Sequence, residues 1–481
     1  MKGLIPDSII KHNNGNTSKL NVGVIFNRKF RRFLLMTIPT LILFSFIILH
    51  ITKDESETYS DHIQQNINYV SDNYNQQDQM FNITQLKEYA LNIKGYYLAP
   101  GNVQFKYINP KNKIGNPDEI LKKHEDLYNW VLTQEINEPK DVDLTNLRPK
   151  HTKYERANAT IITLVRNSEL GDISRTMESF EDKFNKKFNY PYTFINDEPF
   201  SDEFKIAVKK LTNAPTYFAV IPQSLWKKPS HIDPDLEKEG INALLEDEVA
   251  YADMESYHNM CRFYSGNFYN LPELQKFKYY WRIEPSVQFY TNIDYDVFKY
   301  MQKSEKVYGF VVNSYDSAES VKSLWPETLK FLNMEDNYKY VNPNGAFQWL
   351  LNDIQYPTKN AVAGGYSTCH FWSNFEIADM DFYRDDAYNE WFKYLDSTGK
   401  FYYERWGDAP VHSVGVGLFA DKSKVHWFRD IGYYHNPFYN CPNTPSKRGC
   451  ETATFTNAIL NSENCMASWI DYGIDDLAAI Y

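Results

Sequence analysis

No two of the five cysteines in this 481-residue chain stand in a C-x-x-C spacing, so the usual cysteine framework of a structural zinc site is missing. Positive charge is scarce outside the first 32 residues. Seven of the 51 Lys and Arg residues lie in that stretch, against Asp7 alone of the 62 acidic ones, which leaves 44 basic and 61 acidic residues in the remainder, a balance of −17. Such a body repels nucleic acid and anionic lipid surfaces; a phosphorylated substrate bound to it needs local cations, either a metal ion or individual Arg and Lys side chains. With 43% apolar and 23% charged residues the chain is neither disordered, collagenous nor wholly membrane-embedded. What it has in abundance is aromatic rings. Ten Trp, 37 Tyr and 31 Phe make up 16% of the chain, enough to fill a core or to line a site for a flat amphipathic ligand such as a sugar.

One long apolar run stands out. Residues 33–51, FLLMTIPTLILFSFIILHI, form 19 residues without a charge, about 28 Å as a helix, which spans a bilayer. Arg28, Lys29, Arg31 and Arg32 crowd its N-terminal edge, and Asp54 and Glu55 follow it. The positive-inside rule therefore predicts a signal-anchor with residues 1–32 cytosolic and the body luminal. A cleaved signal peptide fits less well, because its apolar region is shorter and ends in a small-residue cleavage site. Two glycosylation acceptors, at Asn82 and Asn158, fall on the luminal side. In that oxidising compartment Cys261, Cys369, Cys441, Cys450 and Cys465 predict up to two disulfides and one free thiol, with the pairing open. Residues 52–117 are polar and read as a stem, and residues 118–481 as the folded body. A helix over 118–136, with Ile120, Leu121, Leu127, Val131 and Leu132 on one face, leads into it.

From about residue 155 strands and helices alternate. The apolar run 159–165 is a buried strand, 169–188 a helix with Ile173, Met177, Phe180 and Phe184 inward, and 192–195 a second strand. A helix from Asp202 and a strand over 217–221 continue the pattern. This alternation predicts a largely parallel sheet with right-handed crossovers. Ligands of such sheets lie beyond the carboxyl ends of the strands, which nominates Arg166, Asn167 and Ser168, with Ser168 as N-cap of a helix start that receives phosphate.

Two later segments carry the acidic chemistry. The strand 279–283 runs into Glu284-Pro285, and proline ends it, so Glu284 is a carboxylate at a strand's carboxyl end, where a divalent cation on a diphosphate is held. Asp294-Tyr-Asp296 and Asp379-Met-Asp381 compete for that role, or else cap helices. Glu376 follows Trp372 and Phe375 and reads as part-buried, a glycosyl-transfer carboxylate or a structural partner of an arginine such as Arg405. Asp408 sits in the turn-like RWGDAP stretch, and His435 in GYYHNP is an imidazole metal ligand by type.

The blocks ATIITLVRNSEL, NMCRFYSGNFY, YYWRIEPSVQFY, STCHFWSNFEIADMDFYR, YYERWGDAPVHSV and HWFRDIGYYHNPFYNCP, spread in order over about residues 155–470, resemble the fungal Golgi alpha-1,2-mannosyltransferase family, glycosyltransferase family 15. The resemblance implies an α/β, GT-A-like Rossmann-type luminal domain with a mixed, mainly parallel sheet, anchored in the Golgi membrane in type II orientation. It implies GDP-mannose as donor, Mn²⁺ as cofactor, and transfer of mannose with retention to mannosides of glycoproteins, N-linked or O-linked. By the same resemblance Glu284 and His435 are metal-associated, Glu376 is the proposed nucleophile, Asp408 a further active-site acid and Tyr257 a tyrosine facing the acceptor. Many members have Asp where this chain has Ser286. Mannosylphosphate transfer, glycoside hydrolysis and a non-catalytic mannan-binding role are the alternatives. Retention of all four acidic and imidazole residues weighs against the last.

Overall fold

The structure, a computed structural model, describes residues 117–474 other than 137–138, 140, 149–153, 335–336 and 352–354. The tail 1–32, the anchor 33–51, nearly all of the stem and Asn82 lie outside them. Among the described residues no helix is long and apolar enough to cross a membrane.

The βαβ start follows from burial on both faces. Strand β1 (Ala159–Leu164) is buried along almost its whole length, as a central parallel strand covered by helices must be. Helix α1 (Leu170–Phe180) lays Ile173, Thr176, Met177 and Phe180 against the sheet at helical spacing. The path continues through a π-turn (Glu181–Asn185) and a last turn (Lys186–Phe188), so the predicted 169–188 helix is one interrupted element with Phe184 still inward. Asn189 then takes a left-handed conformation, φ 54°, and redirects the chain into β2 (Tyr192–Asn196). Ser201 caps helix α2 (Asp202–Leu211) through the Phe204 amide, and β3 (Thr216–Val220) completes the series.

Strands β4 (Tyr279–Arg282), β6 (Tyr308–Phe310), β9 (Glu376–Asp379) and β10 (Val425–Trp427) finish a seven-stranded sheet of order β10-β6-β9-β4-β1-β2-β3. All its pairings are parallel except the two made by β9. That reversal sets up the site. In the β4–β9 register Arg282 faces Glu376 and Tyr279 faces Asp379. The first residue of β9 therefore lies at the edge where the parallel strands end, and its last residue lies at the opposite edge.

A small sheet of β5 (Gln288–Phe289), β11 (Tyr433–His435) and β12 (Phe438–Asn440) packs beside this edge, and β7 (Asn313–Tyr315) pairs with β8 (Cys369–Phe371). The aromatic excess goes mainly into the core. Trp281 meets Phe180, Phe184 and Phe375 at centroid distances of 4.7, 5.0 and 5.3 Å, and each ring so buried stabilises by about 1.5–3 kcal/mol. Cys369 pairs with Cys465 and Cys441 with Cys450, leaving Cys261 as a buried free thiol.

Candidate active site

The centre is a buried guanidinium at the end of β4. Arg282 Nε donates to Glu284 Oε1 at 2.7 Å, and its Nη1 donates to Asp408 Oδ2 at 2.5 Å and faces Glu376 Oε1 at 3.4 Å. The guanidinium also lies over the Tyr264 ring, 3.5 Å from its centroid. Three carboxylates from three places in the sequence thus meet on one cation.

Glu376 is fully buried and heavily solvated by protein donors. Its Oε2 accepts from Tyr280 Oη at 2.8 Å, meets His412 Nδ1 at 2.9 Å and has Tyr383 Oη at 3.5 Å. Its partner is therefore Arg282 together with His412; Arg405, the pairing weighed from sequence, instead binds Asp316 at 3.3 Å. Asp408 also departs from its expected setting. It is not in a turn but opens helix α4 (Asp408–Phe419), where Pro410 is harmless because the first turn has spare amides. Ser373 Oγ donates to Asp408 Oδ2 at 2.8 Å. Burial by itself would raise the Asp408 pKa, but Arg282, His412 and the Ser373 hydrogen bond hold it below the usual range.

Glu284 is the accessible member, its side chain 18% exposed, and burial nevertheless raises its pKa against the pull of Arg282. Ser286, two residues on, stands exposed in the left-handed region at φ 67°. His435 comes from β11, whose register with β5 pairs Tyr433 with Phe289 and Tyr434 with Gln288 and so carries His435 back along the segment that follows Glu284. Burial, with Arg282 nearby, lowers its pKa to about 4, so the imidazole is neutral near pH 7. Its Nδ1 is buried without a hydrogen-bond partner, and its ring packs edge-on against Trp372 at 5.2 Å.

A neutral imidazole with an unused buried nitrogen and the part-exposed carboxylate of Glu284 are donor types that fit a divalent cation. No group of three or more His, Cys, Asp and Glu side chains is arranged to hold a metal ion among the described residues, so diphosphate and water oxygens would complete the coordination.

Neither DxD pair takes part. Asp296 is buried, accepts from Tyr190 and Tyr154 Oη at 2.7 and 2.9 Å, and caps the helix Val297–Lys303. Asp294 pairs with Lys187 at 2.5 Å. Asp379 caps the helix Met380–Arg384, and it and Asp381 both pair with Lys278 at 3.2 Å, at the sheet edge away from Arg282.

The loops after β1 and β2 form a cleft of about 440 Å³ lined by Arg166, Asn167, Ser168, Asn196, Asp197 and Glu198. The predicted trio is there, but Ser168 is not an N-cap. It sits inside a 3-10 turn (Asn167–Glu169), and the reciprocal bonds at this helix start join the Arg166 amide to Glu169 Oε2 and the Glu169 amide to Arg166 O. Tyr257, on helix α3 (Glu255–Gly266), stacks on Tyr251 at 4.6 Å and takes a 3.5 Å contact from Arg405 Nη1. It belongs to the Arg405–Asp316 side of the site rather than to the Glu376 cluster.

Sequence reading missed Arg282, Tyr280 and His412. For His412 a signal existed: it stands four residues after Asp408, one helical turn along the same face.

The described residues match the glycolipid 2-alpha-mannosyltransferase family model over 117–474. The chain is 46% identical over 369 residues to a probable mannosyltransferase, KTR4, of Saccharomyces cerevisiae, covering 75% of this chain and 79% of the relative. It is 40% identical to the O-glycoside alpha-1,2-mannosyltransferase omh1 of Schizosaccharomyces pombe, covering 67% and 82%. Among solved structures it resembles the S. cerevisiae mannosyltransferase Ktr4p in complex with GDP, with TM-score 0.74, 45% identity and coverage of 76% and 95%. It also resembles the Mn/GDP form of core-mannan synthase A from Aspergillus fumigatus, with TM-score 0.68, 46% identity and coverage of 71% and 93%.

Proposed function

The chain belongs to the glycolipid 2-alpha-mannosyltransferase family and is a mannosyltransferase, and from that premise we propose how its own residues carry the reaction. The donor is GDP-mannose and the acceptor a mannoside of a glycoprotein, joined through an alpha-1,2 bond with retention. Glu284 and His435 would hold Mn²⁺, which when bound neutralises charge developing on the departing diphosphate. The loop after β1, which bears Arg166 and Ser168, and the loop after β2 supply polar groups for the nucleotide. Tyr257 borders the acceptor.

The observation that carries this reading is the Arg282 cluster. A retaining transfer places positive charge on the anomeric carbon and needs a carboxylate beside it, as attacking group or as electrostatic partner. Glu376 meets that need: it is buried, and four side-chain donors surround it. Arg282 ties its orientation to Asp408 and Glu284, so the acids of the site are arranged before substrate arrives.

Incubation of the luminal body with radiolabelled GDP-mannose, Mn²⁺ and methyl α-mannoside, followed by linkage analysis, tests the proposal. An alpha-1,2-linked dimannoside is the expected product. Recovery of mannosyl phosphate would reassign the reaction, and absence of any transfer with active controls would reject the donor and acceptor.

A further inference from the structure

His412 touches two oxygen groups, a backbone carbonyl and the side chain of Glu376. Its Nε2 lies 2.8 Å from the Tyr264 carbonyl oxygen and its Nδ1 2.9 Å from Glu376 Oε2. The carbonyl only accepts, so Nε2 carries a proton; with Glu376 as a carboxylate Nδ1 carries one too, and the side chain is then an imidazolium, completely enclosed. Its placement is firm: the Phe268, Tyr383 and Tyr388 rings surround it at 6.2, 5.0 and 6.2 Å.

The two oxygens of Glu376 differ as a result. Oε2 is occupied by His412, Tyr280 and the longer Tyr383 contact, whereas the contact of Oε1 among the described residues is the 3.4 Å approach of Arg282 Nη1. That guanidinium nitrogen makes its short bond to Asp408 instead, at 2.5 Å. Oε1 is therefore the oxygen with lone pairs to spare. We propose that His412 is a positioning residue that pins Oε2 of Glu376, leaving Oε1 as the oxygen free to meet positive charge developing at the anomeric carbon. This rests on the reading of Glu376 as the site carboxylate, and it holds whether Oε1 attacks or only faces developing charge.

The pH consequence has a definite sign. Burial alone would strip His412 of its proton, but Glu376 outweighs it and Asp408 adds to the effect, so its pKa lies above the usual imidazole value. The proton is lost as pH rises past that raised value; the neutral ring keeps the Nδ1 proton that the carboxylate accepts and turns a bare Nε2 lone pair on the Tyr264 carbonyl, which loosens the hold on Oε2. The charged and titratable groups around the ring are Glu376 from β9, Asp408 on its own helix, Arg282 behind Glu376 on β4, and Tyr280, Tyr383 and Tyr388. Burial first, then neighbouring carboxylates and tyrosines, drives these phenols well above their ordinary range, so they stay neutral across the profile.

The test is a double-mutant cycle on the full luminal body with GDP-mannose, Mn²⁺ and methyl α-mannoside. His412→Ala should lower kcat about 10²-fold with little change in GDP affinity. His412→Asn, which keeps an amide donor near the Nδ1 position, should recover part of that loss and lack the wild-type alkaline fall in kcat. Adding His412→Asn to Glu376→Gln should slow it by less than about 3-fold, because His412 acts through Glu376. Equal fold-losses in both backgrounds, or an alkaline limb unchanged in His412→Asn, would overturn the proposal. Should Glu376→Gln itself turn over at the wild-type rate, the site reading falls; a slow Glu376→Gln beside a fully active His412→Ala removes only His412.

Discussion

At the scale of single residues, the site is an exercise in keeping charge where water cannot reach. Three carboxylates, one guanidinium and one imidazole are gathered with almost no solvent, and each remains affordable only because its neighbours replace the lost hydration. Glu376→Gln keeps the shape of the side chain and removes its charge, so turnover should fall by at least about 10²-fold while GDP binding changes little. Steady-state kinetics with a GDP titration would check this, and wild-type turnover would make Asp408 the next carboxylate to change. Removing a metal ligand should register differently. Glu284→Ala and His435→Ala are each expected to raise the Mn²⁺ concentration for half-maximal rate by at least about 10-fold, read by activity and by Mn²⁺ electron paramagnetic resonance. Unchanged Mn²⁺ dependence in both would move the metal away from this pair.

At the scale of elements, the decisive feature is the reversed strand. Were β9 parallel to β4, Asp379 rather than Glu376 would stand at the catalytic edge; as it runs, the DxD carboxylates are left at the other end as caps and ion-pair partners. Asp296 shows what such a cap contributes. It serves two backbone amides and two tyrosine hydroxyls from inside the core, so Asp296→Ala should destabilise by about 2–4 kcal/mol and lower the Tm without altering Mn²⁺ affinity. A variant melting with the wild type would leave that network without energetic weight. The βαβ start was legible because strands buried on both faces are continuous apolar runs. Helix α4 was not, since RWGDAP reads as a turn and the glycines of HSVGVGLF disfavour a helix. Its glycines answer to tertiary packing: a Cβ on Gly415 would come within 2.5 Å of Tyr388, and one on Gly417 within 2.6 Å of Leu350. Likewise Glu376, Asp408, Glu284 and His435 were nameable from their blocks, whereas Arg282 meets Glu376 through a strand register that no local pattern encodes, and His412 was legible only once Asp408 was known to open a helix.

At the scale of the whole molecule, the question is on which side of a membrane this body works. The two disulfides, with Cys261 enclosed and free, agree with folding in an oxidising compartment. The basic cluster before residues 33–51 and the acidic residues after them argue for an N-terminal tail in the cytosol and a body in the lumen, which we propose is that of the Golgi. The arrangement suits the chemistry, because a glycoprotein acceptor is met inside the secretory pathway. It also makes a sharp prediction for sealed vesicles. Protease added from outside should remove only about 32 residues and leave the rest as one protected fragment, detected by antibodies to either end; detergent should abolish the protection. Cleavage of the body in intact vesicles would reverse the orientation. Release of the body by carbonate washing would show that the apolar run had been cleaved as a signal peptide, and that the enzyme meets its acceptors in solution rather than at the membrane.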